Sequence, residues 1–196
     1  MTILIGVDIG QRTEPSGLCV VETEDREGTH GTETHYVVRH LERLPAGTSY
    51  PALADRTAEV VSKVAEKVGC TLFVFLDATG LGQSVVDLFT SRIRDARVVA
   101  VYFTHGDRRN RVSHKEVQLG KAYVVARLQT LLQVGWLHLP RTAEAERLAK
   151  DLLDFQIQVA EDANDRYGAF RVGSRDELVT ALGLASQPEP PRMGIY

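Results

Sequence analysis

Three features of the sequence predict a single mixed α/β domain. Ile3 to Val7 and Leu72 to Leu76 are unbroken β-prone apolar runs, as expected of strands covered on both faces near the middle of a sheet. From Leu53 onward the apolar period changes from strand-like to helical. The resulting order, βββαβαβ followed by helices and a hairpin, reads as one layered domain, and 196 residues are enough for a sizeable core.

Ile3-Leu4-Ile5-Gly6-Val7 is the first central strand. A polar turn from Gln11 to Ser16 leads to a second, Gly17 to Val21, and His35 to Leu41 forms a third, so an antiparallel meander opens the chain. Leu53, Thr57, Val60, Val61, Val64 and Val68 then recur at helical spacing, with Gly69 placed to stop the helix. Leu72 to Leu76 is the second buried strand, followed by a helix around Val85 to Ile93 and a strand from Val98 to Phe103. A long helix from Ser113 to Leu132 puts Val117, Tyr123, Val124, Leu128, Leu131 and Leu132 on one broad face, and Ser113 with Glu116 forms its capping box.

Trp136 to Leu139 is a short strand ended by Pro140, and Thr142 opens a helix to Asp154. Phe155 to Ala160 and Tyr167 to Val172 alternate like the arms of a β-hairpin around Asp162-Ala163-Asn164-Asp165. A last helix runs from Arg175 to Ser186. The domain therefore spans 1–186, and residues 187–196 form a Pro-rich tail, because Pro188, Pro190 and Pro191 cannot continue a helix.

Composition excludes several classes. No run approaches the roughly 18 apolar residues of a membrane helix, and Met1-Thr2-Ile3-Leu4 lacks the basic start of a signal peptide, so a cytoplasmic protein with no membrane partner is expected. Cys19 and Cys70 cannot build a disulfide framework and lie in no Cys-x-x-Cys pair; both read as buried apolar fillers. Neither cysteine has a basic neighbour in sequence and there is no Gly-x-Ser-x-Gly, so a thiol or serine nucleophile is unsupported. His30, His35, His40 and His138 show no ligand spacing, and Trp136 and Phe155 read as core.

The formal net charge of -3 conceals a segregation. Residues 91–127 carry nine Lys/Arg against three Asp/Glu, whereas residues 1–60 carry five against ten. A polyanion is drawn to the first of these segments, and Arg108, Arg109, Arg111 and Lys115 are its candidate phosphate contacts. A solvated surface is the alternative reading of the same charges.

Two carboxylates stand where the apolar pattern leaves no room for them. Asp8 interrupts the run from Ile3 to Ile9, the first buried strand, and Asp77 ends the second. A buried carboxylate requires a cation, a hydrogen-bond network or an opening to water. If the strands are neighbours, the two acids converge at the carboxyl end of the sheet, where open α/β sheets keep their sites. Gly6, Gly10, Gly80 and Gly82 beside them would let a substrate backbone approach. Asp176 and Glu177, opening the last helix, are the third acidic position. The alternatives are a satisfied strand-end aspartate for Asp8, turn capping by Asp77 and favourable helix-end electrostatics for Asp176 and Glu177. Three acids from distant parts of the chain match a divalent-metal phosphodiester site, in which hard oxygens hold Mg²⁺ or Mn²⁺.

Gly6-Val7-Asp8-Ile9-Gly10, Leu76-Asp77-Ala78-Thr79-Gly80, Leu137-His138-Leu139-Pro140 and Tyr167-Gly168-Ala169-Phe170, followed by Ser174-Arg175-Asp176-Glu177-Leu178, resemble the nuclease domain of phage terminase large subunits in order and spacing. The resemblance spans Ile3 to Ala185. It implies a ribonuclease H-like fold and two-metal endonucleolytic cutting of concatemeric double-stranded DNA during packaging. Catalysis and metal binding would then rest on Asp8, Asp77 and Asp176, with Glu177 as a further metal ligand where many relatives have a second aspartate. Arg175 stands where a histidine is common. The resemblance also implies a phage or prophage origin and a terminase ATPase domain, small subunit or portal as partners. The sequence itself contains no Gly-x-x-x-x-Gly-Lys-Ser/Thr loop, so this chain is not expected to be the packaging motor by itself.

The rival enzyme is a bacterial Holliday-junction resolvase, which opens similarly but usually has glutamate as its second acid. A sugar-kinase or actin-like ATPase half would need a second glycine-rich phosphate loop. A non-enzymatic alternative is a degenerate domain that binds DNA or a packaging partner without cutting.

Overall fold

The computed structural model describes residues 1–10, 13–29, 31–154 and 176–188. The expected hairpin over 155–172, together with Phe155, Arg175 and the tail from residue 189, lies outside them.

The chain opens with β1 (Thr2–Asp8), β2 (Ser16–Gly28) and β3 (Gly31–Leu44), then α1 (Tyr50–Ala65), β4 (Leu72–Asp77), α2 (Gln83–Arg92) and β5 (Arg97–Thr104). There follow β6 (Arg109–Arg111), β7 (Glu116–Gly120), α3 (Lys121–Gln133), β8 (Leu137–His138), α4 (Ala143–Asp154) and α5 (Glu177–Ala185). The eight strands form one mixed sheet in the order β6-β7-β5-β4-β1-β2-β3-β8. Pairing is antiparallel in β1–β2, β2–β3 and β6–β7, and parallel in β1–β4, β4–β5, β5–β7 and β3–β8. The two apolar runs identified in the sequence are thus central neighbours.

Strand alternation sorts the core into two layers. Ile3, Ile5 and Val7 of β1 with Leu72, Val74 and Leu76 of β4 pack under α1 and α2. Leu4 of β1, Phe73 and Phe75 of β4, and Val99 and Val101 of β5 face Leu128 of α3, Leu148 of α4 and Leu178 of α5 on the opposite side. Helix α5 lies against the sheet at close range. A Cβ at Gly6 would stand 1.9 Å from the Ala181 carbonyl oxygen, and one at Gly17 would stand 2.3 Å from that of Glu177. Gly6 is therefore occupied by a helix rather than left open to substrate. Gly10 likewise abuts Glu14 and Pro15, its Cβ position 2.3 and 2.2 Å from their carbonyl oxygens.

Several sequence expectations are corrected. The helix expected from Ser113 begins only at Lys121, because Val117 and Leu119 are strand residues paired with Val101 and Phe103. Ser113 and Glu116 form a hairpin turn instead of a capping box: Val112 N and Ser113 N both donate to Glu116 O at 3.1 Å. Val117 lies seven residues before Val124, which fits a helix, and two before Leu119, which fits a strand, and the β5 edge selects the strand. Strands β2 and β3 also run well beyond their apolar cores. The acidic stretch is held as a ladder by cross-strand pairs, Arg39 to Glu22 at 2.7 Å and to Glu24 at 2.8 Å, and Thr34 to Asp25 at 2.9 Å. Helix α1 is N-capped by Ser49 and ends at Ala65 with Glu66 as its C-cap, short of Gly69. Cys19 is buried as expected, whereas Cys70 is half-buried at the margin of the α1 layer.

Gln187, assigned to the tail by composition, is buried and donates from its amide to the Gly183 carbonyl at 2.8 Å. His35 and His138, far apart in sequence, meet across β3–β8 with Nδ1 and Nε2 2.8 Å apart. Trp136 packs on the core, as expected.

Candidate active site

The register of β1 against β4 pairs Val7 with Leu76, so Asp8 and Asp77 are the next residues of two adjacent parallel strands. Asp8 shares a face with Leu4 and Gly6, and Asp77 with Phe73 and Phe75; both acids therefore point to the α5 side of the sheet. Asp176 arrives there as the N-cap residue of α5.

The electrostatics record this convergence. Burial, followed by the charges of Asp77, Asp176, Glu177 and Glu14, raises the Asp8 carboxyl well above the usual range. Burial also raises Asp77, against the opposing effects of hydrogen bonds from Thr79, the Lys121 charge and a hydrogen bond with Asp8. Asp176 is raised by burial and by Glu177 and Glu14, with Lys121 again opposing. Among the described residues no three His, Cys, Asp or Glu side chains are already closed to metal-holding distance. The donor chemistry nevertheless fits a hard divalent cation: half-buried carboxylates, all made harder to ionise by burial and Asp8 also by the charges of its acidic neighbours, gain most from a positive ion between them.

The capping alternatives separate the two aspartates. Asp77 Oδ1 accepts from Thr79 N at 2.8 Å, so one of its oxygens does close the following turn. Thr79 Oγ1 in turn accepts from Phe103 N at 2.8 Å, tying that turn to β5. Asp176 makes no side-chain capping hydrogen bond, which leaves its carboxylate to the acidic cluster. Glu177 comes to the same end of the sheet, but its Oε1 lies 3.2 Å from Arg43 Nε of β3.

The basic residues are set by the outer strands. Asp77, Val101, Val117 and Arg111 form one row across β4, β5, β7 and β6. Three strand spacings of about 4.8 Å place the Arg111 backbone roughly 14 Å from that of Asp77. Arg109, two residues earlier on the same face, lies toward the carboxyl end of β5, opposite Leu119. Arg109 is half-buried; its Nε has no hydrogen-bond partner, and burial lowers its pKa. Arg108, Arg111 and Lys115 are exposed.

Sequence reasoning missed Lys121, Glu14 and Arg43 as neighbours of the site. The helical period from Ser113 puts Lys121 in the interior of a longer helix. The strand that displaces that helix's beginning puts Lys121 on the first turn of α3, next to the acids, where a cation is unfavourable to the helix dipole but favourable to carboxylates.

No protein-family model matches the sequence, and no curated protein matches it significantly. Solved structures do resemble the fold. The human cytomegalovirus terminase nuclease domain, soaked with Mn, superposes with a TM-score of 0.62 at 15% identity, over 94% of this chain and 81% of that one. The nuclease domain of the large terminase of bacteriophage SPP1, with bound Mn, superposes with a TM-score of 0.54 at 12% identity, over 94% and 85% of the two chains. The mixed eight-stranded sheet with its flanking helices is the ribonuclease H-like fold found in terminase nuclease domains.

Proposed function

We propose that this protein is a metal-dependent endonuclease that cleaves double-stranded DNA, as a packaging nuclease related to those of terminases. The observation that carries the reading is the convergence of Asp8, Asp77 and Asp176 from β1, β4 and α5 on one face of the sheet. The cytomegalovirus domain was soaked with Mn and the SPP1 domain has Mn bound, in keeping with such a centre.

Asp8, Asp77 and Asp176 would hold two Mg²⁺ or Mn²⁺ ions. When bound, such ions supply an activated water and charge stabilisation for in-line displacement at phosphorus. The chain's own contribution is positioning. The β1–β4 register fixes two carboxylates side by side, and α5 brings the third over them. Lys121 opposes the rise in the Asp77 and Asp176 pKa values and so favours their ionised, metal-binding forms. The row from Asp77 to Arg111 lets a duplex backbone run from the acids to the β6–β7 hairpin, spanning roughly four base-pair steps at about 3.4 Å each. The exposed Arg108, Arg111 and Lys115, with the half-buried Arg109, would meet the phosphates there.

The test is incubation of the purified chain with supercoiled plasmid and Mn²⁺ or Mg²⁺. Cutting is expected, and it should disappear with chelator and fall to background in Asp8→Asn and Asp77→Asn. Equal cutting by those variants would sink the assignment. Preference for linear duplex over a four-way junction is the expected substrate pattern; the reverse preference would transfer the site to junction resolution.

A further inference from the structure

We infer that Arg43 is a positioning residue of this site: through a buried ion pair with Glu177 it fixes the first turn of α5, so that Glu177 anchors the helix while Asp176 is its metal ligand. The inference rests on the nuclease reading and assigns separate tasks to two adjacent acids.

Arg43 lies on β3 directly opposite Gly17 of β2. Because Gly17 has no side chain, the Glu177 backbone settles onto β2. Arg43 is then close enough for its Nε to approach Glu177 Oε1 at 3.2 Å. The same guanidinium hydrogen-bonds Asp151 through Nη2 and lies 3.7 Å from Glu144, both on α4. One arginine thereby ties β3, α4 and α5 together. Glu144 has a second cation in Arg147, at 2.9 Å, whereas the only ion pair of Glu177 among the described residues is with Arg43.

Glu177 is 3% exposed. A carboxylate so deprived of water needs its counter-ion, and removing either partner leaves an uncompensated buried charge. Glu177, Ala181 and Ala185 follow at i, i+4 and i+8, so they stack on one face of α5. That is the face pressed onto Gly17 and Gly6. The glycines set the height of the helix over the sheet, and the Arg43 pair holds its first turn in rotation. Asp176, immediately before Glu177, makes no capping bond of its own and takes its position from that turn. The 3.2 Å contact lacks hydrogen-bond alignment at both Arg43 Nε and Glu177 Oε1, so it acts through charge and proximity rather than as a directed bond.

The test uses the full chain and Mn²⁺ alone, titrated calorimetrically, with amide hydrogen exchange of metal-free protein as a second readout. Glu177→Gln breaks the same pair and should keep Mn²⁺ stoichiometry while weakening binding to an extent comparable with Arg43→Met, whereas Asp176→Asn should lose a site. Arg43→Met should weaken Mn²⁺ binding about 10- to 100-fold, the usual range for groups that orient metal ligands. It should also speed exchange over 177–181 without changing β1 or β4, and its cutting should recover at raised Mn²⁺. Arg43→Lys should restore part of the affinity. Loss of a Mn²⁺ site in Glu177→Gln would make Glu177 a ligand and overturn the division of tasks. Wild-type affinity in Arg43→Met would overturn the positioning role alone; a wild type that binds no Mn²⁺ would overturn the nuclease reading and this inference together. Should Arg43→Met fail to fold, Glu177→Gln and Arg43→Lys decide the question.

Discussion

At the scale of single residues, the raised carboxyls have a signed consequence for stability. Asp8 has a higher pKa folded than unfolded, so its ionisation penalises the folded state; the penalty is complete above the raised value, shrinks as pH falls below it and is gone below the unfolded value. Metal-free Asp8→Asn is therefore expected to be more stable than wild type at pH 8, by about 0.5–2 kcal/mol, the common gain when a strained functional feature is relieved. The advantage should shrink on acidification, as urea unfolding across pH will show. Lys121→Ala removes a charge that opposes the rise at Asp77 and Asp176; the pH midpoint of Mn²⁺ binding should move upward, measured by calorimetric titration at a series of pH values. Asp8 and Asp77 were legible in the sequence because a carboxylate at the end of a fully apolar strand is costly without a function. Arg43 and Lys121 were not, since a charged residue on a half-exposed strand or helix start looks like any solvated one until its partners are brought to it by long-range pairing.

Among the secondary-structure elements, α5 and the β6–β7 hairpin decide the site. Gly17→Ala would force a Cβ to within 2.3 Å of Glu177 O, and Gly6→Ala to within 1.9 Å of Ala181 O. Each should destabilise by about 1–3 kcal/mol, as overpacking does, and impair cutting because Asp176 moves with the helix; denaturant melts beside plasmid nicking will check both effects. Arg109→Ala and Arg111→Ala should each weaken duplex binding and lower the slope of log affinity against log salt by about 1, read by fluorescence anisotropy. Central strands were legible from their continuous apolar runs, and α1 from its period. The hairpin was not, because β6 has three residues, two of them arginine, and β7 carries only two core side chains. Such a strand is specified by the edge it joins, and a single-sequence pattern has no access to that edge.

Taken as a whole, the molecule places opposite charges in separate regions: acids gathered where β1, β4 and α5 meet, and arginines at the β6 edge. Mn²⁺ should therefore raise thermal stability of the full chain by mass action, about 2.7 kcal/mol at a hundredfold excess over its dissociation constant, and chelator should reverse the gain in a thermal melt. The acids also come from opposite ends of the described chain, Asp8 on its first strand and Asp176 at the start of its last helix. During synthesis the sheet strands leave the ribosome well before α5, and early segments can begin to organise first. Until α5 arrives, Gly6 and Gly17 lie bare and the third carboxylate is missing. On the nuclease reading, an unfinished or truncated chain is chemically inert, and the capacity to cut DNA is acquired only once the polypeptide has closed on itself.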